Sequence, residues 1–186
     1  RDIIIGANIG KNFFTENENA HKDYLKCLET LYESVDYFAI NISSPNTKGL
    51  REFHDKNLLR PLLEKLINFN VSKVNPKPML LKISPDLNIF QLDDIISLML
   101  ELKIDGVIAT NTTVSRNGVK SNYKNEAGGL SGELLRDKSN YVIKYLREKL
   151  GNDFPIIGVG GIMSKEDAID KIKAGANLIQ LYTGFI

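Results

Sequence analysis

The chain has 186 residues, of which 42% are hydrophobic and 25% charged, a composition typical of one globular domain with a substantial core. Its 24 basic and 23 acidic residues give a net charge of +1, so no basic surface for nucleic acid or anionic lipid is indicated. The single cysteine, Cys27, excludes an internal disulfide framework and a cysteine-based metal site. No apolar run reaches the roughly 20 residues of a membrane-spanning helix.

Six apolar, β-rich runs alternate with segments of helical periodicity, which predicts repeated βα units and a parallel sheet. The predicted strands are residues 3–9, 37–42, 79–83, 106–110, 156–159 and 178–182. Nearly continuous apolar strands are typical of a sheet covered on both faces, which favours an α/β (β/α)8 TIM barrel. Because six units cannot close eight strands, we interpret residues 1–186 as one incomplete barrel domain. It would supply strands 3 to 8, and the first two strands and the terminal helix would lie outside it.

Several residues are expected to mark helix ends and loops along this chain. Asn88, Ser139 and Ser164 each precede a helical pattern and are predicted N-caps. Pro61 fits the second helix only if it lies in the first turn. Residues 114–127 have no helical period and are long for a βα loop, which predicts a lid or a hairpin excursion.

A polar loop at residues 41–50 directly follows the apolar run Tyr37–Ile40 of the second predicted strand. Pro45 restricts Ser44 to extended backbone conformations, so its hydroxyl is expected to be held in one pose. Ser44 also lies between two amides, Asn41 and Asn46, and is therefore our first candidate for the chemical centre. The alternative interpretation is an ordinary turn rich in Ser, Pro and Asn.

The carboxyl ends of the strands form the working face of a barrel, so the residues at those positions carry the functional prediction. They are amides, hydroxyls, glycines and one ammonium: Asn8, Asn41, Lys82, Thr110, Asn111, Thr112, Gly160, Gly161, Tyr182 and Thr183. No histidine and no carboxylate pair ends a predicted strand, which is a poor set for hydrolysis or metal binding. We therefore predict no metal and expect a bound cofactor to carry the difficult step.

Two glycine-rich turns, residues 128–132 and 158–161, indicate where a phosphate group would bind. The second runs directly into the helix that Ser164 is predicted to cap, so backbone N–H groups and the positive end of a helix dipole converge there. Its position, after what would be the seventh strand of a full barrel, is one where barrels commonly bind phosphate.

Taken together, these motifs resemble the dihydroorotate dehydrogenase family, FMN-dependent barrel enzymes of de novo pyrimidine (UMP) biosynthesis. The motifs that carry the resemblance are, in order, GANIGKN, NISSPNT, KISPD, TNTT, GGLSG, GVGG and QLYT. They run through essentially the whole chain, and NISSPN, residues 41–46, is the most diagnostic of them.

The resemblance implies oxidation of dihydroorotate to orotate. Soluble class 1 members of the family use a Cys as catalytic base, and membrane-associated class 2 members use a Ser. Ser44 stands at the matching position of this chain. The resemblance therefore implies class 2 and a quinone as electron acceptor. The implied substrate contacts are Asn41, Asn46, Asn111 and Thr112. The implied FMN contacts are Asn8, Asn41, Lys82, Thr110, Gly132, Gly161, Tyr182 and Thr183.

Class 2 membership also implies peripheral association with the bacterial cytoplasmic membrane or the mitochondrial inner membrane, through residues outside this sequence. Two alternatives remain open on the residues alone. One is a class 1-like flavin barrel that uses fumarate or NAD. The other is a non-enzymatic barrel that binds a phosphorylated ligand, which the shortage of acid and base groups would suit.

Overall fold

A computed structural model describes residues 2–186 and contains one parallel sheet. Its strands are β1 (Gly6–Ile9), β2 (Tyr37–Asn41), β3 (Met79–Ile83), β4 (Gly106–Ala109), β5 (Ile156–Val159) and β6 (Leu178–Gln180). Each strand pairs with the next along the chain, in the order β1 to β6. Sequential parallel strands joined through helices build the wall of a TIM barrel, and among the described residues this wall is open, with β1 and β6 as its edges.

Five helices connect the strands and cover the outer face of the sheet. They are α1 (Ala20–Leu31), α2 (Lys56–Val71), α3 (Ile89–Glu101), α4 (Arg136–Leu150) and α5 (Lys165–Lys173). The main core lies between these helices and outward-facing strand residues such as Ile9, Ile40 and Leu81. A smaller cluster on the other face contains Ala39 and Leu80. Since successive strand residues point to opposite faces, the polar side chains next to this inner cluster also point into the barrel.

Two of the three predicted N-caps are confirmed. The side chain of Asn88 accepts a hydrogen bond from the backbone of Gln91 at the start of α3, and Ser164 caps α5 in the same way. The prediction for Ser139 is wrong, because α4 begins at Arg136 and places Ser139 inside the helix. Its buried hydroxyl instead donates to the backbone carbonyl of Val159, at 2.7 Å, and so ties α4 to the end of β5.

The predicted position of Pro61 is also wrong. Helix α2 begins at Lys56 behind the N-cap Asp55, so Pro61 lies in the second turn rather than the first. Proline cannot donate the hydrogen bond expected at that position. The helix persists because its inner face buries four leucines: Leu59, Leu62, Leu63 and Leu66. Tertiary packing of this face outweighs the lost backbone bond.

Residues 114–127 form an excursion without a helix or strand, as the sequence predicts. An antiparallel bridge between Thr113 and Leu130 closes its base. Within it, the Arg116 guanidinium donates to the backbone carbonyls of Lys124 and Glu126, so hydrogen bonds inside the loop hold its two halves together. In the part of the chain that the structure describes, no helix is both long and apolar enough to span a membrane.

Candidate active site

The inner face of the sheet carries two polar side chains in direct register. Asn41 at the end of β2 pairs with Lys82 on β3. Within residues 2–186 the Lys82 ammonium makes no hydrogen bond or ion pair, although the residue is half-buried. Burial lowers the pKa of Lys82 below its usual range. A desolvated cation without a partner, aimed into a barrel, is equipped to meet negative charge on a ligand.

A hydrogen-bonded network joins the ends of β2, β3 and β4. The amide nitrogen of Asn111 donates to the side-chain oxygen of Asn41 at 3.1 Å and to the hydroxyl of Ser43 at 3.0 Å. Ser43 in turn donates to the backbone carbonyl of Lys82 at 2.7 Å. These bonds fix which edge of each amide faces the barrel interior, so the site is organised before any ligand binds.

The loop that carries Ser44 lies against the glycine-rich turn at residues 128–132. Ser44 is half-buried, and its hydroxyl oxygen accepts the backbone N–H of Asn46 at 3.3 Å. A Cβ placed on Gly129 would lie 3.0 Å from Pro45 and 1.8 Å from the Thr112 hydroxyl. Only glycine therefore permits this close approach, which brings the substrate-side candidates Thr112 and Asn46 beside Ser44.

A cavity of about 380 Å³ lies at the carboxyl ends of β3 to β6. Eight predicted site residues line it: Lys82, Thr110, Asn111, Thr112, Gly132, Gly161, Tyr182 and Thr183. Four others lie outside its lining: Asn8, Asn41, Ser44 and Asn46. Asn8 is on the exposed inner face of edge strand β1, while Asn41 reaches the cavity residue Asn111 through their hydrogen bond. The structure thus gathers most of the predicted residues at one end of the barrel wall.

A charged cluster that no sequence pattern predicts connects the loops of this site. Arg51 donates to the backbone carbonyls of Ser43 and Thr112 and pairs with Asp86 at 2.8 Å. Asp86 also accepts hydrogen bonds from Thr113 and from Lys138 on α4. One carboxylate therefore joins the Ser44 loop to the loop after β4.

The sequence carried a signal for only part of this cluster. Asp86 was visible as the nearest carboxylate to a strand end, beyond Pro85. Arg51 lies seven positions after Ser44 in a polar loop, and Lys138 has the spacing of an ordinary solvent-facing helix charge. Pairing across such distances depends on the tertiary fold, which no local pattern reveals.

Comparison with known proteins decides the family. The family model described as "Dihydroorotate dehydrogenase" matches residues 2–186. The chain belongs to the dihydroorotate dehydrogenase family. It is 57% identical over 186 residues to the dihydroorotate dehydrogenase (quinone) of Christiangramia forsetii, and 50% identical over 188 residues to that of Polynucleobacter necessarius. The alignments cover 100% and 98% of this chain but 55% of each relative, so the chain spans about half the length of the curated relatives it matches.

Solved structures of this family agree with the fold. A ligand-free dihydroorotate dehydrogenase from Eimeria tenella superposes with a TM-score of 0.91 at 33% identity, covering 100% of this chain and 55% of that one. The Eimeria tenella enzyme in complex with ferulenol gives a TM-score of 0.89 at 33% identity, covering 97% and 52%. The six parallel strands therefore form part of a TIM barrel, as the sequence predicts.

The cavity fits FMN, the cofactor that the family implies. The Thr110 hydroxyl is buried in its wall and has no hydrogen-bond partner among the described residues, which leaves it for a polar ligand. Gly132 and Gly161 both have positive φ, at 80° and 74°, and their backbone N–H groups donate to no acceptor within residues 2–186. A polar flavin edge and a phosphate are the chemical groups that such donors suit.

Proposed function

We propose that this chain forms most of the catalytic site of a class 2 dihydroorotate dehydrogenase, which oxidises dihydroorotate to orotate with FMN and passes the electrons to a quinone. The observation that carries the proposal is the hydrogen-bonded amide pair Asn41 and Asn111, next to the Lys82 ammonium, which lines the cavity and has no partner among the described residues. The printed name of the relatives, dihydroorotate dehydrogenase (quinone), supports the same reaction.

The substrate-binding residues match the edges of a pyrimidine ring. Such a ring alternates N–H donors and C=O acceptors, and an Asn side chain carries one donor group and one acceptor. Within the described residues the Nδ2 group of Asn41 makes no hydrogen bond and is free for a ring carbonyl, whereas the Asn111 amide nitrogen donates to Asn41 and Ser43. Asn41 and Asn111 are already oriented by their shared hydrogen bond and by Ser43. Thr112 and Asn46 lie against the neighbouring residues Gly129 and Gly128, so both are close to the same glycine-rich turn.

Ser44 would accept the proton from C5 of dihydroorotate. Pro45 and its contact with the glycine-rich turn hold this hydroxyl in place, which favours reaction from a single pose. A serine is a weak base and needs a route by which its proton leaves. When bound, FMN would accept the hydride from C6 of the substrate. Lys82 would stabilise negative charge in the cavity, because its desolvated ammonium has no competing protein partner.

Residues Lys82, Thr110, Gly132, Gly161, Tyr182 and Thr183 would hold FMN in this cavity. Asn8 and Asn41 would contact it from the inner face of β1 and β2. We further propose that the quinone is delivered from a membrane surface through residues outside this chain, which makes the protein peripherally membrane-associated. Ser44, the class 2 type of base, supports this placement.

A steady-state comparison of electron acceptors tests the proposal. The purified protein should oxidise dihydroorotate with a soluble quinone analogue and show little turnover with fumarate or NAD. Efficient fumarate or NAD use without quinone activity would instead identify the class 1-like alternative. Binding of FMN without any reaction with dihydroorotate would favour the non-enzymatic barrel.

A further inference from the structure

Lys171 of α5 is a fully buried cation without an acidic partner. Its ammonium donates to the backbone carbonyl of Gly160 at 2.7 Å and to the hydroxyl of Ser139 at 3.1 Å. Its exposure is 0%, and within residues 2–186 no carboxylate oxygen lies within 4.0 Å of it. The acid one turn earlier, Asp167, is instead paired with Arg136 at 2.8 Å. A buried charge with only neutral acceptors is costly, so this position calls for a functional reason.

The surrounding backbone is shaped to admit this side chain. A Cβ on Gly158 would lie 2.5 Å from Cγ of Lys171, so the glycine leaves room for the lysine stem beneath β5. Ser139, which is also fully buried, accepts from Lys171 and donates to the carbonyl of Val159. Helices α4 and α5 therefore meet the end of β5 through one shared ammonium. Burial lowers the pKa of Lys171 to about 8, so the group is still mainly protonated at neutral pH.

The Gly160 carbonyl and the Gly161 N–H belong to the same peptide group. This peptide is trans, because the one cis bond in the described chain joins Ala109 and Thr110. In a trans peptide the C=O and N–H bonds point in opposite directions. The Gly160 carbonyl points towards Lys171 on α5. The Gly161 N–H therefore points away from α5, to the side on which Gly161 lines the cavity. A cation on the carbonyl polarises the peptide and makes this N–H a stronger donor.

We propose that Lys171 is a positioning residue for the phosphate of the flavin, acting through the Gly160–Gly161 peptide without touching the ligand. The inference rests on the proposed function, since it takes the anion in the cavity to be the FMN phosphate. Lys171 holds the Gly160 carbonyl, orients and polarises the Gly161 N–H, and supplies a positive charge on the side of this peptide away from the cavity. The dianionic ligand in turn compensates the buried cation.

Comparison of FMN with riboflavin, which lacks the phosphate, tests this role directly. Dissociation constants of both ligands are measured by flavin fluorescence titration for the unchanged protein and for Lys171→Met. We expect FMN affinity to fall at least about tenfold while riboflavin affinity stays within about twofold, because a full charge is removed near the phosphate alone. Lys173→Met is the matched control, since Lys173 lies on the same helix with its side chain 73% exposed, and it should change neither constant.

Two results would overturn the inference. Equal FMN affinity in Lys171→Met would show that the buried charge does not reach the phosphate, and equal weakening of both flavins would show a purely structural role. If Lys171→Met fails to fold, Lys171→Gln replaces it, because Gln keeps a donor for the Gly160 carbonyl but carries no charge, and the same outcomes apply. Absence of FMN binding by the unchanged protein would instead refute the proposed function.

Discussion

Arg51 and Asp86 form an ion pair of 2.8 Å that links two loops of the active site. Both side chains are mostly buried, with 22% and 16% of their side-chain surfaces exposed. Arg51 also donates to the backbone of Ser43 and of Thr112, so it contacts the segment before the candidate base and the segment beside the substrate amides. The pair therefore connects the loop that carries Ser44 with the loop that carries Thr112, and under the proposed function its role is to position Ser44.

Arg51→Ala should lower kcat for dihydroorotate oxidation by at least about tenfold, because a small shift of the Ser44 loop spoils the reactive geometry. The free energy of unfolding should fall by about 2 kcal/mol, since the variant removes a donor from two part-buried carbonyls and from a mostly buried carboxylate. Stopped-flow flavin reduction and urea unfolding measure the two effects. Arg60→Ala, at an exposed pair with Glu101, is the control and should leave kcat unchanged. Unchanged flavin reduction in Arg51→Ala would contradict the positioning role.

The carboxylate of Asp86 should make stability depend on pH in the acid range. Partial burial acts to raise its pKa, but hydrogen bonds from Lys138, Thr113, Val114 and Arg51 outweigh burial and lower the pKa from 3.8 to about 2. Because the folded pKa is lowered, the stabilisation is complete above about pH 4 and is lost as pH falls towards 2. Its size is about 2 kcal/mol.

The free energy of unfolding is measured from pH 6 to pH 2 for the unchanged protein and for Asp86→Asn. Comparison of the two proteins gives the contribution of the Asp86 carboxylate. The difference in unfolding free energy between the two proteins should be constant above about pH 4 and shrink below it. A difference independent of pH would show that Asp86 does not titrate with a lowered pKa.

Lys82→Met should retain bound flavin but slow its reduction by dihydroorotate at least about a hundredfold, because the desolvated ammonium stabilises the negative charge that develops. A second readout is sulfite binding to the flavin, which forms an anionic adduct and should weaken in the variant. Lys65→Met, at an exposed lysine of α2, is the control. Normal reduction and normal sulfite affinity in Lys82→Met would remove Lys82 from the charge-stabilising role.

Ser44→Ala should keep the flavin and the dissociation constant for orotate while flavin reduction slows by at least about a hundredfold, since only the proton acceptor is lost. Rapid-mixing reduction under anaerobic conditions measures the rate, and a spectral titration with orotate measures binding. Ser97→Ala, on the exposed side of α3, serves as the matched substitution. A rate close to that of the unchanged protein would reject Ser44 as the base.

Most of the strand framework could be predicted from the sequence, because hydrophobic runs separated by helical periods define βα units locally. Strands 79–83 and 156–159 match their predicted bounds, whereas the first strand begins at Gly6 instead of Ile3, because its pairing with β2 starts where Gly6 lies opposite Tyr37. The positions of Ser139 and Pro61 were mispredicted. Burial against β5 and the leucine face of α2 outweighed the local preferences of these two residues.

The residues of the candidate site also fall into a predictable and an unpredictable group. Strand-end residues such as Lys82 and Asn111 were predictable because parallel strands bring their ends to one edge. The roles of Arg51 and Lys171 were not, since their partners lie on other elements: Arg51 bonds to the loop after β4, and Lys171 to the turn after β5. Their spacing in the sequence is that of ordinary solvent-facing charges.

The absorption spectrum of the purified protein, recorded anaerobically before and after addition of dihydroorotate, tests the central claim most directly. Amides, Lys82 and the glycine turns are proposed to surround one flavin within reach of the substrate. The protein should therefore show an oxidised flavin spectrum that dihydroorotate bleaches and a soluble quinone restores. A colourless protein that cannot be reconstituted with FMN, or a flavin that dihydroorotate leaves oxidised, would contradict it.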